Sequence, residues 1–292
     1  MKSIRILAGM TFQEAIRRKI VLTGLVLGIC FLVVFSVGFH LIVSQIQTSR
    51  IRAAQEQQGM SSQLIVNQVV DKEGENMLTL AGLYAATFLS IAMAALLGAD
   101  TLSGEINSGT IQTVVTKPIR RSDVVLGKWL GFAALLGLYL LLMGGGTVAS
   151  VFLQTGVVPD NLLAGLGLIY LETLLVMTIS LMFSSIFSAL ATGGAVFGLY
   201  GLAFIGGWIE QIGSLINNPT AIKVGIVTSL IIPSESLWRR AAYEMQSPLA
   251  GMLNMSPFGT SSVPSGLMIA YAGVYLLAML FLAVRFFQKR DL

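Results

Sequence analysis

Six apolar runs, each about long enough to cross a bilayer when coiled as a helix, constrain this chain more than any other feature. A helix rises about 1.5 Å per residue, so roughly 20 apolar residues traverse the hydrocarbon core. The runs lie near 20–43, 77–99, 129–153, 162–185, 189–209 and 265–284. Inside a bilayer the backbone finds no water and must satisfy its own N–H and C=O groups, which makes each run a helix. The expected fold class is therefore all-α: a polytopic membrane protein with six transmembrane helices, forming a single membrane domain over 1–292. Charged residues are 11% of the chain, against about a quarter in soluble domains, which sets a soluble fold aside.

An even number of crossings puts both termini on one side. With cytoplasmic termini, 12 Lys and Arg residues fall inside and 6 outside, the bias that the positive-inside rule expects. The expected location is the inner or plasma membrane, multi-pass, with the N- and C-termini cytoplasmic. The pair Arg239–Arg240 runs against the bias, but it sits in a long segment, and long segments translocate largely regardless of charge. The lone cysteine, Cys30, lies within the first run and allows no intrachain disulfide. That run is also too long for the apolar part of a signal peptide, so no cleavable leader is expected.

Residues 1–19 read as an amphipathic interfacial helix. Ile4, Leu7, Ala8, Thr11, Phe12, Ala15 and Ile16 recur at helical spacing, and Lys2, Arg5, Arg17 and Arg18 lie elsewhere, suited to anionic headgroups. Two external regions are expected, 44–76 and 210–264. The first is rich in Gln and Ser and reads as an extension of the first span followed by a loop. In the second, Pro233-Ser234 is a helix start with Ser234 as N-cap, and Leu237, Trp238, Ala241 and Met245 share an apolar face. The run 224–232 is too short to span and suits a re-entrant or surface segment. Trp238, Arg239 and Arg240 are the expected external gate or partner surface, with Trp238 at the membrane–water boundary.

Most motifs for chemistry fail. Gly104-Glu-Ile-Asn-Ser-Gly109-Thr110 has the glycine spacing of a phosphate loop but lacks its lysine and follows a membrane span. No catalytic residue is assigned, and no nucleic-acid partner is expected. The single histidine, His40, excludes a paired-histidine zinc site. Met245, Met252 and Met255 offer soft thioether ligands, but Met also fills gaps in helix packing, and no metal site is assigned. Glu172, ten residues into the fourth run, has two readings. It is either a group on the translocation pathway that holds a cation or proton, or a structural carboxyl bonded to a neighbouring helix. Gly24/Gly28, Gly127/Gly131 and Gly194/Gly198 permit close helix approach, and Gly144–Gly146 marks a bend or a close crossing.

The polar stretch from Asp100 to Lys128 lies between the second and third runs, on the expected cytoplasmic side. It holds Glu105-Ile-Asn-Ser-Gly109-Thr110-Ile111, then Thr116-Lys117-Pro118-Ile119-Arg120-Arg121, then Lys128. With the amphipathic start and six runs, this pattern resembles the ABC-2 class of ATP-binding-cassette transporter permeases over nearly the whole chain. The opening Thr11–Lys19 also resembles members grouped with copper-enzyme maturation permeases.

The resemblance implies a cytoplasmic coupling helix over Asp100–Ile111 that docks on a separate ATPase. Asp100, Glu105, Asn107, Gly109, Thr110, Lys117, Arg120 and Arg121 are the implied coupling residues. Lys117, Arg120 and Arg121 also serve as positive-inside or headgroup-binding residues, which needs no protein partner. No cofactor is expected on this chain, ATP and Mg²⁺ being held by the partner ATPase. The implied partners are cytoplasmic ABC ATPase subunits, a second permease subunit in a homodimer or heterodimer, the lipid bilayer and an external accessory protein. The implied function is a non-enzymatic exporter subunit. Two rivals stay open: an ATPase-driven scaffold acting on an external protein without flux, and an intramembrane enzyme using Glu172 with serines or Tyr170.

Overall fold

The computed structural model describes residues 2–56, 61–107, 120–247 and 262–290. Those residues are helical with short connections, and no strand occurs among them. The helices are α1 (Lys2–Arg17), α2 (Lys19–Glu56), α3 (Ser61–Asn107), α4 (Arg121–Thr155), α5 (Leu162–Ser184), α6 (Ala189–Leu215), α7 (Pro219–Ile231), α8 (Ser234–Met245) and α9 (Gly266–Lys289). Six of them, α2 to α6 and α9, are long and apolar enough to cross a membrane. α3, α4 and α5 are the most enclosed. α2 and α9 lie at the periphery and expose Leu22, Val34, Leu267 and Phe281, as lipid-facing helices do.

Local chemistry sets the helix ends. α4 stops where Gly156 takes φ 73°, a left-handed turn that glycine enters without strain, and its N–H donates to Phe152 O at 2.8 Å. α7 starts on Pro219, with Asn218 Oδ1 accepting from the N–H groups of Thr220 at 3.0 Å and Ala221 at 3.3 Å. It ends before Pro233, which has no N–H to continue the ladder. α8 then leaves at 108° to α7.

Glycines bring the helices together. Gly24 receives Met93 Sδ, and Gly28 receives Met143 Sδ and Tyr139, whose hydroxyl donates to Gly24 O at 3.0 Å. This is methionine as gap-filler. Gly127 and Gly131 seat α1 on α4, against Leu7, Ala8 and Thr11. Gly194 and Gly198 meet nothing within 4 Å. α4 runs unbroken through Gly144–Gly146, where Gly144 meets Leu166 and Gly146 meets Leu32, so the triple glycine is a crossing and not a bend.

Three local expectations differ from what is seen. The apolar face of α1 packs on α4, and Ile6 and Met10 are its most exposed large apolar side chains. Much of 44–76 is helix, because α2 continues to Glu56 and α3 begins at Ser61; residues 57–60 lie outside the described part. α8 begins at Ser234 with Pro233 in the cap position, and the Ser234 hydroxyl caps nothing.

Candidate functional site

Polar residues gather at two ends of the bundle. At the first, where both termini lie, the end of α3 meets α1, α4, α5 and α9. Ser184 Oγ accepts the backbone N–H groups of Leu102 at 3.1 Å and Ser103 at 3.0 Å, and donates to Ala99 O at 2.9 Å. One buried hydroxyl of α5 thus braces the α3 ladder from the side. One turn earlier, Ser180 Oγ donates to Ala95 O at 2.7 Å across Gly98.

The expected coupling residues fall here in part. Asp100 lies on α3 with Oδ2 3.4 Å from Arg18 Nη1. Residues 100–107, Glu105 and Asn107 included, are helical and form the end of α3, while 108–111 lie outside the described residues. Gly109, Thr110 and Lys117 lie outside the described residues. Arg120 is the extended residue ahead of α4 and is exposed. Arg121 opens α4, and its Nη1 donates to Arg290 O at 2.7 Å and Gln288 O at 3.2 Å, while Arg290 Nη1 donates to Ser185 O at 2.9 Å. The cation of Arg121 therefore fastens the C-terminal helix to the start of α4.

At the opposite end, α7 and α8 fold back onto the bundle. Gly206, Gly213 and Gly225 bring α6 and α7 so close that a Cβ on any of them meets the facing helix. α8 turns Leu237, Trp238, Arg239, Ala241 and Met245 inward. The apolar face read from the sequence is present, but it packs on α3 and α5 and does not lie at the surface: Trp238 and Arg239 are each 3% exposed. Trp238 stacks near Tyr84, ring centroids 4.7 Å apart. Arg239 pairs with Glu210 on α6, Nη1 to Oε1 2.8 Å and Nη2 to Oε2 2.9 Å. Ser262 Oγ donates to the same Glu210 at 2.7 Å. Arg240 Nη2 reaches Glu244 Oε1 at 2.5 Å and its Nη1 donates to Pro264 O at 3.3 Å. Both arginines that ran against the positive-inside bias are thus neutralised within the chain.

Beneath this pair lie two more acids. Glu172 on α5 is fully buried, and neither carboxyl oxygen has a hydrogen-bond partner. Glu235, on α8 and outside the six spans, sits over Gly207 with one oxygen 3.5 Å from the Tyr84 hydroxyl and the other unpartnered. Burial pushes the Glu235 carboxyl up to about 7, against the opposing pull of the Arg239 cation and the Tyr84 hydroxyl. Tyr170 turns away from Glu172 and donates to Ala133 O at 2.8 Å. The bonded structural reading of Glu172 therefore lacks its bond, and the pairing with Tyr170 lacks its contact. Glu210 was not singled out in the sequence, and Glu235 figured there only as a first-turn acid of the helix beginning at Ser234. Their signal was present, as acids three and four residues from Gly207 and Arg239.

Tyr84 also forms the wall of an open cavity of about 620 Å³ between α2, α3 and α6, lined with it by Cys30, Phe31, Val34, Phe88 and Phe204. The lining is almost wholly apolar. Among the described residues, no group of three or more His, Cys, Asp or Glu side chains is placed to hold a metal ion. Met245 is buried against Gly165, and Met252 and Met255 lie outside the described residues.

Comparison with known families matches the chain over residues 6–292 to the ABC-2 family transporter protein. Two relatives are each named as a probable ABC transporter permease protein NosY. The one from Stutzerimonas stutzeri is 32% identical over 104 residues, 35% of this chain and 38% of the relative. The one from Pseudomonas aeruginosa is 34% identical over 80 residues, 27% of this chain and 29% of the relative. The chain thus matches well under half the length of these curated relatives.

Proposed function

The chain belongs to the ABC-2 family of transporter proteins, and from that premise we propose that it is the membrane permease subunit of an ATP-binding-cassette exporter in the inner or plasma membrane. A separate cytoplasmic ATPase holds ATP and Mg²⁺; this chain contributes the path and does no chemistry itself. Two permease subunits, identical or related, pair across the bilayer. ATP binding favours one of two arrangements of the spans, and its energy reaches them only through contacts that differ between those arrangements.

The observation that carries this reading is the unbroken continuation of α3 from the bundle core through Asp100–Asn107. Force applied to the polar segment beyond the membrane needs a stiff member to reach the spans. α3 is one, held by Ser184 on α5 and met by Arg18 between α1 and α2. On this reading Glu105, Asn107, Gly109, Thr110 and Lys117 meet the ATPase, while Asp100, Arg120 and Arg121 set the geometry of that end. The aromatic cavity beside Tyr84 is the path's apolar side, and Glu172 stands behind that wall. The finer placement among copper-enzyme maturation permeases rests on Thr11–Lys19 alone.

Glu105→Arg tests the reading. The variant should insert and fold normally, yet fail to copurify with its ATPase or to stimulate that subunit's ATP hydrolysis. Unchanged copurification and unchanged stimulation would overturn the coupling role. Crosslinking at exposed Tyr243 to an external protein, without ATP-dependent flux, would favour the scaffold instead.

A further inference from the structure

We propose that the last two turns of α9 bind the headgroup of an anionic phospholipid through Arg285, Gln288 and Lys289, in the leaflet on the side where both termini lie. α9 is a peripheral span, and its exposed side chains follow one side of the helix. Leu267, Val274, Leu277 and Phe281 make that stripe, each 65% exposed or more, while Ala272, Leu276, Ala283 and Phe287 are buried on the opposite side. At about 3.6 residues per turn, Arg285 falls in line with Leu267 and close to Phe281, with Gln288 and Lys289 flanking it. All three are exposed. The lipid-facing stripe thus turns from apolar to basic. The change comes at headgroup depth. Gly266–Val284 carries no charge and extends about 28 Å as helix, close to the roughly 30 Å of a hydrocarbon core. Arg285 is the first residue beyond it, and long cationic side chains reach from such positions into the polar layer.

Contact joins this turn to α4. Arg121 Nη1 donates to Gln288 O at 3.2 Å and to Arg290 O at 2.7 Å, so the start of α4 and the end of α9 are one locus. The cap and first turn of α4 and the last two turns of α9 with Arg290 carry the cations Arg120, Arg121, Arg285, Lys289 and Arg290 against a single acid, Asp123. Arg121 and Arg290 are engaged with carbonyls. Among the described residues, the side chains of Arg285 and Lys289 have neither an ion pair nor a hydrogen bond. The Arg121 contact also removes an obstacle. A helix C-terminus carries about half a negative charge, which repels a phosphate. A guanidinium set on the terminal carbonyls offsets that charge and leaves Arg285 and Lys289 to act on the anion.

Arg285, Gln288 and Lys289 stand at i, i+3 and i+4, so they are neighbours on the helix surface and offer two cations and an amide to one phosphate. A basic group of this kind beside a span is attracted to anionic headgroups and not to zwitterionic ones. The direction of the surface favours lipid over a soluble partner. The cations continue a stripe that faces sideways out of the bundle, whereas a soluble protein would meet the end of the helix, where Arg121 and Arg290 are already engaged. A headgroup held here lies beside the start of α4, where the chain re-enters the bundle from its polar segment.

The test uses the purified full-length chain in a neutral detergent and needs no ATPase, so it stands or falls apart from the transport reading. Phosphatidylglycerol or phosphatidylcholine is added in mixed micelles, and the unfolding temperature is followed to saturation. Phosphatidylglycerol should raise it by about 5 °C over phosphatidylcholine, and high salt should weaken the response. Arg285→Gln combined with Lys289→Gln should raise the half-saturating phosphatidylglycerol concentration about thirtyfold. Both side chains are exposed, so this variant should unfold at the wild-type temperature in phosphatidylcholine. Arg5→Gln combined with Arg17→Gln, exposed on α1, should shift half-saturation less than about threefold. An equal shift in the two double variants would show a diffuse basic surface and overturn the proposal. So would an unchanged response in the α9 variant, or the same stabilisation by inorganic phosphate alone. Loss of ATPase copurification with unchanged lipid affinity would assign the cations to the ATPase and overturn it as well.

Discussion

Arg239 and Glu210, 29 residues apart in the chain, meet as a buried ion pair with side chains only 4% and 5% exposed. The pair ties α8 to α6 across the bend at Pro233. Removing one member strands the other in a buried site. Arg239→Met should therefore destabilise the protein by about 3–5 kcal/mol, while Arg239→Met with Glu210→Met should recover most of that loss. Thermal unfolding of the two single variants and the double gives the coupling directly; additive losses would mean that the pair contributes nothing as a pair.

Ser184 has a comparable role at the other end. Ser184→Ala removes the acceptor used by two α3 amides and a donor to Ala99 O, with an expected loss of about 1–3 kcal/mol. Amide hydrogen exchange should become faster at Leu102 and Ser103 before it does elsewhere in α3. Uniform exchange along α3 would show that the hydroxyl does not hold this joint.

Asp100 and Arg18 make a weaker contact. Asp100 is about half-exposed in its side chain, and exposed pairs contribute about 0–1 kcal/mol. Asp100→Asn should leave the unfolding temperature within a degree or two of wild type. If stimulation of an associated ATPase falls at the same time, the residue acts in coupling and not in stability.

Gly131 bears the backbone of α1: a Cβ there would come within 2.7 Å of Ala8 O, a group that cannot rotate away. Gly131→Val should lift α1 off α4 while leaving the spans inserted. A cysteine at Thr11, buried in the wild type, would then react with a maleimide in a Cys30→Ser background. Continued protection of that cysteine would show that α1 adapts to the added methyl groups.

The spans were legible because twenty apolar residues in a row have few alternatives in water or lipid. The seat of α1 was legible in pieces, as an apolar stripe in one place and Gly127 with Gly131 in another; nothing in a linear reading says that the two belong together. Trp238 and Arg239 were misplaced for a physical reason. An amphipathic helix beside a basic pair looks the same from the sequence whether its apolar face meets lipid or protein. The deciding partner, Glu210, lies at the end of the preceding span, where an acid reads as the first residue outside the membrane. Glu172 was visible as an isolated charge, while Glu235 was masked by the more ordinary role of a first-turn acid.

Gly207 carries a consequence for how this protein tolerates change. Its missing side chain is the volume that Glu235 fills, so even alanine there displaces the carboxyl without altering any charged residue. A comprehensive substitution scan would record that glycine as intolerant of every side chain. In such a map, an apparently inert apolar position would report on the acid lying over it.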